Sequence, residues 1–210
     1  METIGTLGSA LSDSCFGSTE NGRVGGHFRM GRQQGRQVFP CLLMFVASCG
    51  PGAGHLQPGA DSRRLTDMAT MLVQVHNRER AALGVAPLSW DPVLAGHAAA
   101  YARQLASLGD LRHSPRTARP GQGENLWIGS RGAFSVQEMI DSWVTEKAYF
   151  RPGIFPAVGR TGHWSAVGHY TQMIWPTTRG VGCATASSAR FDVLVCRYAP
   201  AGNIDGRRVP

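Results

Sequence analysis

Phe191-Asp-Val-Leu-Val-Cys-Arg-Tyr198 alternates with a period of two. Phe191, Val193 and Val195 fall on one side and Leu194, Cys196 and Tyr198 on the other, as in a β-strand. A turn centred near Ala189 places Cys183 opposite Cys196 on the neighbouring strand, within cross-strand reach for a disulfide. A strand-interior cysteine is packed and inert, so neither reads as a catalytic nucleophile. Residues 167–175 and 180–185 read as two further strands. Short turns between consecutive strands make them antiparallel.

Upstream the period changes. Met68, Met71, Leu72 and Val75 follow helical spacing, with Thr66 or Asp67 as cap and Gly84 as stop. Asp91-Pro92 opens a second helix with the stripe Leu94, Ala98, Tyr101, Leu105 and Leu108, ended by Gly109. Ser135 caps a third, from Val136 to Tyr149, with Val136, Met139, Ile140 and Trp143 inward. A Pro/Gly/Arg loop joins the second helix to the third. Helices first and strands after, without βαβ alternation, indicate an α+β fold.

The first sixty residues are set apart. Residues 1–37 show neither period. Val38 to Ser48 is an apolar run of eleven residues, too short for a span that needs about 20. Preceded by Arg32 and Arg36, it has the length of a signal-peptide core. Met30 sits where such a leader begins, so residues 1–29 read as an upstream extension and 30–49 as the leader. Val46-Ala47-Ser48-Cys49 resembles a lipobox, with Cys49 as the lipidated residue; ordinary cleavage near Ser48 or Ala53 is the competing reading. Either way export is expected, and export permits disulfides. Residues 50–64 read as a flexible linker and 65–210 as the domain.

Composition narrows the function classes. The 210 residues carry a formal charge of +7, with 17% charged residues and five cysteines. Nearly all the cations are arginine, and none forms a run longer than Arg63-Arg64 or Arg207-Arg208. A nucleic-acid surface would concentrate them in a stripe, so no nucleic-acid partner is expected. Ser165 lies outside any Gly-x-Ser-x-Gly elbow, and phosphate-cradling glycine loops are absent from the sequence. His97 reads as a packed core histidine, His76 as a helix-surface hydrogen-bonder, and Trp127, Trp143 and Trp175 as core. Gly123 reads as a place of close backbone approach or positive φ.

Two longer stretches carry a resemblance. Gly168-His-Tyr-Thr-Gln-Met-Ile-Trp-Pro-Thr-Thr178 and Leu194-Val-Cys-Arg-Tyr-Ala-Pro-Ala-Gly-Asn-Ile204 resemble the two signature motifs of the CAP superfamily. That superfamily holds the cysteine-rich secretory proteins, venom antigen 5 and plant pathogenesis-related proteins. His76-Asn77-Arg78, Leu88-Ser-Trp-Asp91, His113-Ser114, Gly123-Glu-Asn-Leu126 and Trp143-x-x-Glu146-x-x-Tyr149 extend it, in the family's order, over roughly 67–206. The extra eukaryotic cysteines are missing, as in a bacterial-type member. The resemblance implies an α-β-α sandwich with a three-stranded antiparallel sheet between helical layers.

It also implies a cleft tetrad of His113, Glu124, Glu146 and His169. His113 and His169 would be ligands to zinc or another divalent cation, a role that suits neutral imidazole; no metal spacing in the sequence shows this independently. Three functions follow. The first is an exported binding module for a lipid, a sterol or a protein partner, expected as a monomer. The second is a metal-assisted hydrolase or peptidase, with Glu124 or Glu146 as general base. The third is a structural envelope protein tethered through Cys49.

Overall fold

The computed structural model describes residues 58–210. The upstream stretch 1–29, the leader 30–49 with Cys49, and the start of the linker lie outside the described residues.

Helix α1 spans Pro58–Ala81. Residues 58–64, read above as the end of a linker, are therefore helical. Ser62 to Asp67 are solvent-exposed, so this end of the helix shows no apolar stripe from which periodicity could be read. Further on, Leu72 and Val75 are buried and Met68 and Met71 pack partly against the same core. Gly84, at φ 66°, lets the Val85 N–H return to the Arg80 carbonyl and end the turn.

Strand β1 is only Ser89–Trp90. Helix α2, Pro92–Leu108, starts where the Asp91 carboxylate accepts from the Val93 and Leu94 N–H groups and stops at Gly109, φ 64°. Strand β2, Gly123–Ser130, follows. Helix α3, Val136–Thr145, opens with a capping box in which Ser135 and Glu138 satisfy each other's backbone N–H groups. Its last turn tightens to a 3₁₀ turn over Glu146–Tyr149. Then come β3 (Gly153–Ile154), a 3₁₀ turn (Trp164–Val167), α4 (Gly168–Met173), β4 (Gly180–Ser187), β5 (Phe191–Ala199) and β6 (Arg208–Val209).

Two expectations about the sheet are corrected. It has four strands in the order β1-β4-β5-β2, and it is mixed: β1 runs parallel to β4, the other pairs are antiparallel. Residues 167–175, read as a strand, instead finish a 3₁₀ turn and form α4. Tyr170 to Trp175 are all buried; such a run carries no alternation to separate helix from strand. The missing strand is β2, in the segment read as a loop. Its first three residues include Glu124 and Asn125, polar side chains that are buried with hydrogen-bond partners.

The sandwich is formed by α2 on one face of the sheet and α1, α3 and α4 on the other. Val193 and Val195 meet Ala98, Ala102 and Leu105 of α2. Leu194, Cys196 and Tyr198 meet Leu72, Met139, Ile140, Trp143 and Met173. Cys183 and Cys196 are register partners and form the expected disulfide, with Cα atoms 4.1 Å apart. A small second ladder, β3–β6, closes a separate aromatic cluster around Phe155, Tyr170 and Trp175.

Close approach of α2 to the sheet depends on Gly182, where an added Cβ would collide with the backbone of Asp91, Leu94 and Ala95. Backbone cannot give way as a flexible side chain can. Gly182→Ala is expected to destabilise the domain by about 2–3 kcal/mol, the upper part of the overpacking range. Urea unfolding checks this as a lower midpoint at unchanged slope.

Candidate functional site

Glu124 lies on β2 directly opposite Arg197 of β5, so the two side chains leave the same face of the sheet. Arg197 Nη2 donates to Glu124 Oε2 at 2.9 Å, and both side chains are almost wholly buried. The Ser114 hydroxyl donates to the same oxygen, and the Ser114 N–H to Oε1. Burial pushes the Glu124 carboxyl up, but the His113 hydrogen bond, the Arg197 charge and the Ser114 N–H outweigh it and leave the pKa below the ordinary value. The carboxylate is ionised, and an ionised carboxylate only accepts. His113 Nδ1–H therefore donates to Oε1 at 2.8 Å, and its ring stays 56% exposed.

The second pair is built from helix ends. Glu146, in the turn that closes α3, accepts His169 Nδ1–H at 2.6 Å on Oε1. Its Oε2 accepts the backbone N–H groups of His169 and Tyr170 in the first turn of α4. Trp143 stacks on the His169 ring, centroids 5.6 Å apart and planes within 13°. A third of the His169 side chain reaches solvent.

Tetrad residues thus assemble as two His–Glu pairs. Adjacent residues of β2 join them: Glu124 holds His113, and Asn125, on the opposite face, donates from Nδ2 to the His169 carbonyl at 3.1 Å. Both pairs therefore belong to the N-terminal end of β2, an edge strand. Both imidazoles keep Nε2 outside any hydrogen bond among the described residues, whereas every carboxylate oxygen is engaged. Among the described residues no group of three or more His, Cys, Asp or Glu is placed to hold a metal ion. Any ion would rest on the two imidazole nitrogens, with Glu124 and Glu146 orienting the rings.

Other parts were not foreseen. Asn125 also donates to the Tyr198 hydroxyl, which in turn donates to Nε2 of His76; His76 Nδ1–H donates to the Leu72 carbonyl. His76 is fully buried, not on the helix surface. His97, read as core, is exposed and meets Gln122. Trp127 is half-buried against Phe134, while Trp143 and Trp175 are core. Gly123 serves close approach, since a Cβ there would strike the Gln172 side chain. The one sequence signal for Arg197 was a charge on the side of the strand that carries Val193 and Val195.

A family model, CAP: Cysteine-rich secretory protein family, matches residues 73–198. The chain belongs to this family. CAP relatives include pathogenesis-related protein 1C of Nicotiana tabacum, 36% identical over 137 residues, 64% of this chain and 76% of the relative. Pathogenesis-related protein 1 of Arabidopsis thaliana is 36% identical over 163 residues, covering 77% and 90%. Among solved CAP-fold structures, NaASP2 with Zn2+ superposes at TM-score 0.56 with 25% identity, over 67% of this chain and 84% of its own. BmVAL-1 superposes at 0.55 with 24% identity, over 75% and 84%.

Burial holds the His76 pKa at about 4, against an ordinary 6.5. As pH falls between these values the unfolded chain takes up a proton that the folded chain refuses. Stability is complete above 6.5 and falls toward pH 4 by an amount on the order of 3 kcal/mol. Guanidinium unfolding at pH 7 and pH 4.5 is expected to show this loss in the wild type and a smaller one in His76→Gln.

Proposed function

We propose that this CAP protein is an exported binding module whose two cleft histidines hold a divalent cation beside its ligand. One observation carries the reading: both oxygens of Glu124 and both of Glu146 are taken up in hydrogen bonds. A general base needs an oxygen turned to its substrate; Glu124 is sealed from solvent, and Glu146 directs its oxygens to His169 and Tyr170. What remains is a pair of imidazoles fixed in tautomer and direction by carboxylates, the outer-shell arrangement common at metal-ligating histidines. NaASP2 with Zn2+, at 25% identity, supports zinc as the ion to try first. His113 and His169 would hold it, and a bound zinc would lend open coordination positions to an oxygen of the partner. The ligand classes are a lipid, a sterol or a protein surface. Export accords with the Cys183–Cys196 disulfide, which belongs to an oxidising compartment, and with the secretory family.

Zinc titration by calorimetry tests the reading. Wild type is expected to bind, and His113→Ala and His169→Ala to lose binding. Glu146→Gln is expected to weaken it about 10–100-fold, as for an outer-shell partner. Zinc-dependent cleavage of a peptide library, lost in Glu146→Gln at unchanged melting temperature, would replace the binding module with a hydrolase.

A further inference from the structure

The opposite edge of the sheet has a geometry of its own. β1 stops after Trp90, while β4 continues to Ser187. The Ser89 and Asp91 N–H groups donate to the carbonyls of Arg179 and Val181, which puts the outward lane of β4 on its odd-numbered residues. At the far end the Ser188 N–H donates to the Phe191 carbonyl of β5, so even-numbered residues face inward. Cys183, Thr185 and Ser187 therefore turn their N–H and C=O groups away from β5, into the lane that β1 opens and leaves. No backbone or side-chain hydrogen bond from another element reaches those groups among the described residues.

Helices α1 and α2 flank that lane from the two faces of the sheet. Met68, Ala69 and Val73 line one wall, Ala95 and Ala99 the other, and Trp90 lies at the β1 end of a groove of about 760 Å³. The volume is that of a ligand site. The lining is mainly apolar, but its floor is a strand edge. An acyl chain lying there would strip water from peptide groups without pairing them, at roughly 1–3 kcal/mol for each unsatisfied group. An extended polypeptide instead pairs with them and sends alternate side chains to the two apolar walls. No residue from Gly182 to Ser187 is a proline or carries a charge, the side chains that blunt a strand edge. The disulfide ties the edge strand to β5, so the lane is formed before anything enters it.

We propose that this groove is a strand-docking site, which takes an extended, uncharged, β-branched segment of another polypeptide as a further strand beside β4. It lies across the sheet from the histidine cleft and does not depend on the cleft's function.

The test uses a capped hexapeptide of alternating valine and threonine, labelled with fluorescein. Its partner is the same peptide N-methylated at alternate amides. Fluorescence polarisation is expected to show binding of the first and not of the second. Amide hydrogen exchange at Cys183 and Thr185 is expected to slow roughly tenfold on binding. Ala99→Trp, which fills the groove, should abolish binding. Thr185→Pro removes one outward donor without touching the β4–β5 ladder and should weaken it roughly fivefold. Circular dichroism and zinc affinity report whether either variant still folds and keeps its cleft. Lack of binding by the wild type, equal binding of the N-methylated peptide, or an unchanged affinity in folded Ala99→Trp would overturn the proposal. So would displacement of the peptide by palmitate with no protection at Cys183 and Thr185, or self-association of the protein through this edge in place of peptide binding.

Discussion

The ion pair between Glu124 and Arg197 sets the geometry of the His113–Glu124 pair. Cross-strand register makes the two residues neighbours, and both are sealed from water. Burying two charges is costly unless every remaining lone pair and proton finds a partner. Here the carboxylate accepts from Arg197, twice from Ser114 and from His113; the Arg197 guanidinium lies over the Tyr101 ring at 5.3 Å, and its buried Nε–H is left without a hydrogen-bond partner among the described residues. Three of these hydrogen bonds come from the adjacent residues His113 and Ser114, so the His113 loop is pinned by the same carboxylate that pairs with Arg197. The direction in which His113 presents Nε2 is a consequence of that pinning.

A second buried polar construction does the same for His169. Among the described residues Arg80 has no carboxylate partner; its guanidinium donates to the carbonyls of Ala86, Met173, Trp175 and Thr178. Burial draws its pKa down to about 10, still far above neutrality, so a full positive charge sits at the C-terminal end of α4, where a helix favours one. At the other end of α4, the N–H groups of His169 and Tyr170 meet Glu146. A helix of six residues cannot hold itself together. These two end contacts, with Asn203 bonding the Gly168 carbonyl and Thr171, keep it in place. The two signature motifs thus lock together: residues 168–178 supply the short helix, and residues 194–204 supply the strand and the loop that brace it.

The sheet treats its two edges differently. At β2 the two His–Glu pairs flank the first residues of the strand. At β4 the edge is covered for only two residues by β1, and the rest lies between two helices from opposite layers. Mixed pairing creates this asymmetry, since a two-residue parallel strand that immediately enters a helix cannot extend its own ladder.

Alternation in Phe191–Tyr198, the caps at Asp91 and Ser135, the stops at Gly84 and Gly109, and the Cys183–Cys196 pairing could all be read from residue order. Each depends on local stereochemistry or on a period that survives without knowledge of the rest of the chain. The tetrad could be named because its motifs were long enough to carry a resemblance, and no spacing rule would have found it. Folding settled the matters in which burial is collective. Gly168–Met173 became helical within a run, Tyr170 to Trp175, that is buried throughout, a state in which helix and strand look alike in sequence. Gly123–Ser130 became a strand although Glu124 and Asn125 are polar, because pairing with β5 gives them Arg197 and Tyr198 as buried partners. His76 went inside and His97 outside because a histidine's place is set by whether partners such as Tyr198 await it, and those partners lie more than a hundred residues away in the chain.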